Sequence, residues 1–160
     1  MITKSKFQNS SKEQKERIVT SFFKSKFSGF QAKSGIDIDV PAGYKVRVAA
    51  QLIAEEEREI IKKIFVVLEE FNTYLTKVDV DTVIEYAEQL HQAGVFDPKR
   101  DEFWLVTNQK WTYEAYVYSK GKIVMMDTDT LIEGINKILD KESKKSADLR
   151  KSLERSGVSV

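Results

Sequence analysis

The chain has 160 residues, of which 41% are hydrophobic and 32% charged, an ordinary composition for one globular domain. No apolar run approaches the roughly 20 residues that cross a bilayer, which excludes a membrane-spanning helix. The absence of cysteine excludes disulfides and thiol chemistry. The lysines at the N-terminus are not followed by an apolar segment, so we expect no secretory signal, no membrane partner and a cytoplasmic location.

The net charge of +1 conceals an uneven distribution. Residues 1–33 contain eight Lys or Arg and two Glu, a balance of +6, and residues 137–160 contain seven basic and four acidic residues, a balance of +3. By difference, the middle of the chain has a charge of −8. Basic ends can bind a polyanion such as DNA, or they can simply be a solvated surface. The predicted DNA contacts at the N-terminus are Lys4, Lys6 and Lys12.

The first part of the chain predicts an arm, a helix and two extended segments. Residues 1–11 are predicted to be a disordered basic arm, followed by a helix that is capped by Ser10 or Ser11 and continues to about Lys26. Its apolar residues recur at helical spacing, so one face is core. Residues 30–40 and 44–54 alternate between apolar and other residues, which is typical of strands. The turn Pro41-Ala42-Gly43 separates the two segments.

The run Ile64-Phe65-Val66-Val67-Leu68 is apolar on both faces and rich in β-branched residues. Two interpretations compete for residues 54–74: one long helix, which the propensity of the Glu-rich stretch Glu55–Glu59 favours, or a hairpin with this stretch at its tip. We favour the hairpin, because an apolar, β-branched run suits a central strand covered on both faces.

After this strand, helices and strands alternate. The predicted elements are a helix over 82–93 capped by Asp79 or Asp81, a strand over 103–106, a helix over 112–119, a strand over 122–126 and a helix to residue 139 capped by Asp127 or Thr128. This order indicates an α/β fold with a central mixed sheet flanked by helices. The domain is predicted to span residues 12–140, with residues 141–160 as a charged tail or frayed helix.

Several pieces of the chain are weak singly but occur in an order that is typical of one family. They are Val78-x-Val80-Asp81-x-Val83, Leu90, Phe103-Trp104-Leu105-Val106-Thr107-Asn108, Trp111-Thr112-x-Glu114-Ala115, Lys122-Ile123-Val124-x-Met126-Asp127 and Leu131-Ile132. Together they resemble the C-terminal half of Mrr-type restriction-endonuclease-like domains, and the match covers about residues 46–135. The family implies a nuclease fold, DNA as partner and Mg²⁺ as the cofactor of active members.

The same resemblance implies metal ligands on a hairpin: an Asp on its first strand, then Glu or Gln, one spacer and Lys on the second. Glu69 falls on the carboxylate position, but Phe71 falls on the lysine position. Another register supplies Asp37 as the aspartate, again without a lysine. The candidate catalytic residues are Glu69 and Asp37, and the candidate metal ligands are these two and Glu70. The active-site motif is therefore predicted to be degenerate.

Other patterns add little chemistry. The single histidine, His91, excludes a His-based zinc site, and no glycine-rich phosphate loop is present. Aromatic residues beside Lys110 and Lys120 either stack on nucleic-acid bases or belong to the core; they are Trp104, Trp111, Tyr113, Tyr116 and Tyr118. Lys110 and Lys120 complete the predicted DNA contacts.

Two hypotheses follow. The first is a DNA-associated domain with reduced or lost nuclease activity, and without a cofactor unless it is active. The second is a structural or protein-interaction subunit, with a protein partner or a second copy, that kept the fold as a scaffold. An active Mg²⁺-dependent endonuclease is the less favoured enzyme variant.

Overall fold

The structure, a computed structural model, describes residues 1–160. Its centre is a sheet of five strands in the order β1-β2-β3-β4-β5. The strands are β1 (Gln31–Asp39), β2 (Lys45–Glu56), β3 (Glu59–Glu69), β4 (Glu102–Thr107) and β5 (Val124–Asp127). The first three are antiparallel neighbours, whereas β3, β4 and β5 are parallel. The predicted mixed sheet with flanking helices is confirmed.

Six helices surround the sheet. They are α1 (Lys4–Gln8), α2 (Lys12–Lys26), α3 (Lys77–Gln92), α4 (Tyr113–Ser119), α5 (Thr128–Leu139) and α6 (Lys144–Arg155). Ser11 caps α2 with a full capping box, in which its side chain accepts from Gln14 N–H and the Gln14 side chain accepts from Ser11 N–H. Thr112 caps α4 and Asp127 caps α5. The caps predicted for α2 and α5 are therefore confirmed.

The predicted hairpin is also confirmed, because β2 and β3 are antiparallel and the turn between them consists of Glu57 and Arg58. Side chains of β3 pack on both faces of the sheet, as a central strand requires. Ile64 and Val66 belong to a core cluster with α2, α5 and α6, and Phe65 and Val67 belong to a second cluster with α3. None of the helices is long and apolar enough to cross a membrane.

Both ends of the chain differ from the prediction. Where a disordered arm was expected, Ile2 and Phe7 are each only 2% exposed, and Phe7 belongs to the short helix α1. The Asn136 side chain holds the backbone of Ile2, accepting from its N–H at 2.9 Å and donating to its carbonyl at 2.8 Å. Burial of two large apolar side chains and this paired hydrogen bond offset the entropy of ordering the segment.

The C-terminal segment, predicted as a charged tail or frayed helix, contains the helix α6, whose apolar side is buried. Leu149, Leu153 and Val158 are buried in the same cluster as the apolar face of α2. Only a few apolar residues are present in this charged segment, but they share one side of α6 and meet α2 and α5. Helix α3 also begins earlier than predicted, at Lys77, because Thr76 and Asp79 form its capping box and Asp79 is its third residue rather than its cap.

Candidate functional site

A gap opens where β2 and β3 stop pairing. Their ladder extends from Glu56 and Glu59 at the hairpin tip to Ala50 and Val66, and β3 then follows β4 to the pair Glu69 and Thr107. The first half of β2 instead stays with β1. The two strands of the hairpin therefore separate at the end that is distant from the tip. The N-terminal half of α2 lies beside this gap on one face of the sheet, and α3 lies on the other.

The side chains of β2 change faces at the gap. Val46 and Val48 pack with the α3 cluster, whereas Ala50 and Leu52 pack with the α2 cluster. Gly35 of β1 lies across from this reversal and has a φ of +63°, in the left-handed region that favours glycine. A Cβ on Gly35 would lie 2.8 Å from Arg47 Nη2 and 3.1 Å from Glu16 Oε1. This position therefore needs glycine both for its backbone and for space.

Three charged residues from three elements meet at this point. The Arg47 guanidinium of β2 binds Glu16 of α2 through two bonds, Nε to Oε2 at 2.9 Å and Nη2 to Oε1 at 2.8 Å. Its Nη1 donates to Asp37 Oδ2 of β1 at 3.2 Å. The Glu16 side chain is only 3% exposed, whereas those of Arg47 and Asp37 are 35% and 49% exposed. The bidentate pair is thus the buried part of the cluster.

The electrostatics match this geometry. Hydrogen bonding to Glu16 is the main cause that raises the pKa of Arg47 above its ordinary value; burial opposes it, and the charges of Glu16 and Asp37 reinforce it. The guanidinium thus stays charged and neutralises a carboxylate that water does not reach. The carboxylate of Asp37, a predicted catalytic residue and metal ligand, accepts a hydrogen bond from this guanidinium. A positive side chain between two carboxylates is an arrangement that does not suit a divalent cation there.

The other two predicted ligands lie elsewhere around the gap. Glu69 is half-buried on the α3 side, where burial raises its pKa while Lys12 and Tyr86 act in the opposite direction. Glu70 is on the α2 side and binds Lys15, with Nζ to Oε1 at 2.7 Å. Nowhere in the chain do three carboxylate or imidazole groups come close enough together to hold a metal ion. The predicted ligand set of Asp37, Glu69 and Glu70 stays a prediction.

Phe71, at the lysine position of the resemblance, lies beyond the end of β3. Its N–H donates to Asn108 Oδ1 at 2.8 Å, and its carbonyl accepts from Asn108 Nδ2 and Gln109 Nε2 at 3.0 and 3.2 Å. The ring packs against the α3 cluster. The residue therefore ties the end of β3 to the turn after β4, and it supplies no charge to the gap.

Most of the predicted DNA-binding lysines already contact other groups of the protein. Lys4 binds Asp129 at 3.2 Å, Lys110 binds Asp127, and Lys6 donates to the Ser159 carbonyl. Lys120 lies over the Tyr116 ring, 4.9 Å from its centroid. Lys12 makes no ion pair within 4.0 Å, and its charge acts on Glu69. As DNA contacts, these five lysines stay a prediction.

Arg47 is the site residue that sequence reasoning missed. The pattern Val46-Arg47-Val48 is an ordinary alternation of a half-exposed strand, and such a pattern does not single out the arginine. Glu16 has the appearance of one of many charges on an amphipathic helix. The only sequence signal of the change of face in β2 is Ala49-Ala50, two successive small apolar residues that interrupt the alternation. This signal does not identify the partner of Arg47.

No protein-family profile and no curated protein matches the sequence. Among solved structures, AF1548, a protein of unknown function, superimposes with a TM-score of 0.55 and 14% identity over 92% of this chain and 89% of that one. The restriction endonuclease MspJI, solved in complex with a 27-mer oligonucleotide, has the same TM-score and identity over 94% of this chain.

The present chain spans 33% of the MspJI chain, so it matches one part of that enzyme. The DNA modification-dependent restriction endonuclease AspBHI gives a TM-score of 0.49 at 10% identity, over 43% of its chain. Likeness at these identities concerns the fold alone. The strand order, the separated hairpin and the similarity to MspJI together show that this chain has the restriction-endonuclease-like fold.

Proposed function

We propose that the protein is a DNA-associated domain of restriction-endonuclease-like fold in which nuclease activity is reduced or lost. The observation that supports this proposal is the bidentate bond between Arg47 and buried Glu16. The resemblance implies metal ligands on the hairpin, and Arg47 lies on the first strand of that hairpin. The Arg47 guanidinium, which is bound to Glu16 of α2, gives the gap a fixed positive charge where a metal ion would otherwise supply one.

Loss of activity follows from what the gap lacks. Metal-dependent hydrolysis of a phosphodiester uses a cation to activate water and to stabilise the charge that develops in the transition state. A preorganised charge of this kind contributes several kcal/mol, and Phe71 offers none at the lysine position. Arg47 cannot leave Glu16 cheaply, because a buried carboxylate without its partner costs about 3 to 5 kcal/mol.

Association with DNA is proposed from the fold and the charge distribution. MspJI, which shares the fold with this chain, was solved with an oligonucleotide. The N-terminal and C-terminal regions of the present chain have charges of +6 and +3, which favours an anionic partner. Because the chain spans only part of MspJI, the contacts of that enzyme are not assumed for this protein.

A second candidate is a protein-interaction subunit that uses the fold as a scaffold. It is favoured by exposed apolar side chains that flank the start of α3 and the start of α4: Tyr74 is 61% exposed, Val78 74% and Tyr113 80%. A protein partner or a second copy of the chain would cover such a surface.

The test is incubation of the protein with plasmid DNA and Mg²⁺ or Mn²⁺, together with retention of DNA at low ionic strength. We expect no cleavage above the background of the Asp37→Asn and Glu69→Ala variants, and we expect retention that declines as salt increases. Cleavage that disappears in either variant would show an active nuclease. Absence of retention at low salt would contradict DNA association and leave the scaffold function.

A further inference from the structure

A basic groove lies between the C-terminal half of α2 and the outer face of α6. It has a volume of about 700 Å³ and is lined by five cationic side chains and a single carboxylate, that of Asp148. The cations, which we call the groove cations, are Lys24, Lys144, Lys145, Lys151 and Arg155. The groove joins the two basic ends of the sequence, because Lys24 belongs to the first and the other four belong to the second.

The arrangement of charge on α6 is regular. Lys144, Lys151 and Arg155 are separated by seven and four residues, which places them on one face of the helix. The opposite face contains Leu149 and Leu153, which are buried in the core. The helix therefore packs through its apolar side and presents a line of positive charge to the groove.

The groove cations are unpaired within the protein. None of them belongs to any of the eight ion pairs of the structure. Asp148, the acidic residue among them, makes no such pair either. Five cations around one groove repel one another, and an anionic ligand would relieve that repulsion.

The floor of the groove offers hydroxyl groups. Ser21 of α2 and Ser152 of α6 share a hydrogen bond at 2.6 Å, which joins the two helices. One turn further along α2, the Ser25 hydroxyl is buried and has no hydrogen-bond partner. A buried polar group without a partner is rare in native proteins and needs an explanation. Ser25 also lines the groove, so a ligand oxygen could become its partner after a side-chain rotation.

We propose that this groove binds successive backbone phosphates of a DNA strand. From Lys144 to Arg155 the helix advances about 16 Å, at 1.5 Å per residue. One strand of duplex DNA presents a phosphate about every 3.4 Å along the axis while it winds around that axis, so a straight line of charge of this length follows a few successive phosphates rather than one. Lysine, arginine and serine are side chains that commonly contact the DNA backbone.

The groove is separate from the gap that contains Arg47. Lys24 lies about 12 Å along α2 from Glu16, at the other end of the helix. Both α6 and the C-terminal half of α2 lie outside residues 46–135, the segment of the resemblance. This inference rests on the proposed association with DNA and assigns it to a surface that the fold alone does not indicate.

The test compares two variants of equal charge by fluorescence anisotropy with a labelled 20-base-pair duplex. The groove variant is Lys24→Gln/Lys151→Gln/Arg155→Gln. The matched control is Lys33→Gln/Arg58→Gln/Lys99→Gln, which removes two lysines and one arginine that are exposed and outside the groove. All six residues are exposed, and thermal unfolding of each variant verifies its fold. Lys144→Gln/Lys145→Gln serves as a second groove variant.

We expect the groove variant to bind at least about tenfold more weakly than the wild type at 0.1 M salt. Its slope of log affinity against log salt should be smaller by about 2 to 3, since each phosphate contact contributes about 0.9. The control should keep most of the affinity. Equal losses in the groove and control variants would overturn the groove and leave DNA association intact. Failure of the wild type to bind would overturn both.

Discussion

The two ends of α2 use charge in opposite ways. At the N-terminal end, Glu16 is buried and meets Arg47 in a bidentate pair, and Lys15 binds Glu70. At the C-terminal end, Lys24 lines a groove with four other cations that have no ion-pair partner. Charges that are paired inside the protein are costly to separate, whereas charges left together without partners are available to a ligand.

The same difference distinguishes two parts of the molecule, the gap between β2 and β3 and the groove between α2 and α6. In the gap between β2 and β3, where the resemblance implies a nuclease centre, the side chains are engaged with one another. In the groove between α2 and α6, outside that resemblance, they are not. The proposed contact with DNA is therefore assigned to the groove and not to the gap.

The largest effect is expected for Arg47→Ala, which leaves Glu16 buried without its partner. We expect a loss of about 3 kcal/mol in the free energy of unfolding, at the lower end of the range for a broken buried ion pair, because water reaches one third of Arg47. Urea denaturation measures the loss. Asp37→Ala removes only the half-exposed partner and should cost less than about 1 kcal/mol. Equal losses for the two variants would contradict a buried Glu16–Arg47 pair.

A smaller effect is expected for Glu69→Gln, and it depends on pH. Burial raises the pKa of Glu69, while Lys12 and Tyr86 oppose that rise without cancelling it. The ionised form is thus disfavoured in the folded protein. The corresponding stability is fully present below the ordinary glutamate pKa and is lost as pH rises through the raised value in the folded state.

Because glutamine does not ionise, the Glu69→Gln variant should gain stability relative to the wild type as pH rises from 4 to 7. This gain in the free energy of unfolding should be smaller than the loss caused by Arg47→Ala. Urea denaturation at both pH values measures the difference. Lys12→Gln is the companion variant. Its free energy of unfolding should fall more between pH 4 and pH 7 than that of the wild type, because it lacks a charge that favours the ionised Glu69 carboxylate. A Glu69→Gln effect that does not change with pH would show that burial leaves this carboxyl unaffected.

The smallest effect is expected for Ser25→Ala, in the groove. Removal of a buried hydroxyl that lacks a partner, together with the better helix propensity of alanine, should raise the free energy of unfolding by up to about 1 kcal/mol. Ser21→Ala is the matched control: it loses the bond to Ser152 and should cost about 1 kcal/mol. Chemical denaturation compares the two. Destabilisation by Ser25→Ala would mean that this hydroxyl already has a partner in the free protein.

The sheet could be predicted to a large extent because its signals are local. The run from Ile64 to Leu68 is apolar on both faces, and the helices beyond it begin at recognisable caps such as Thr112 and Asp127. The hairpin was harder to predict because its turn consists of Glu57 and Arg58, both with positive φ, at positions where Asn or Gly is the usual signal. The burial of both strands outweighs that strain.

The candidate site could not be predicted in the same way. The register that suggested Glu69 came from the family resemblance of one strand, and such a resemblance does not show which helix faces that strand. The reversal at Ala49 turns Arg47 towards Glu16, 31 residues earlier in the sequence. Contacts between such distant residues leave no periodic trace, so neither the ion pair nor the glycine that makes room for it was visible.

The amino-acid sequence was sufficient for the alternation of strands and helices in the second half and for the excess of positive charge at both ends, because these depend on side-chain period and composition. Only the tertiary structure showed that the two basic ends meet in one groove and that Arg47 satisfies Glu16. Packing of α6 against α2 depends on a few leucines and one pair of serines. The partner of a charge is decided by which elements pack together, and local sequence does not encode that.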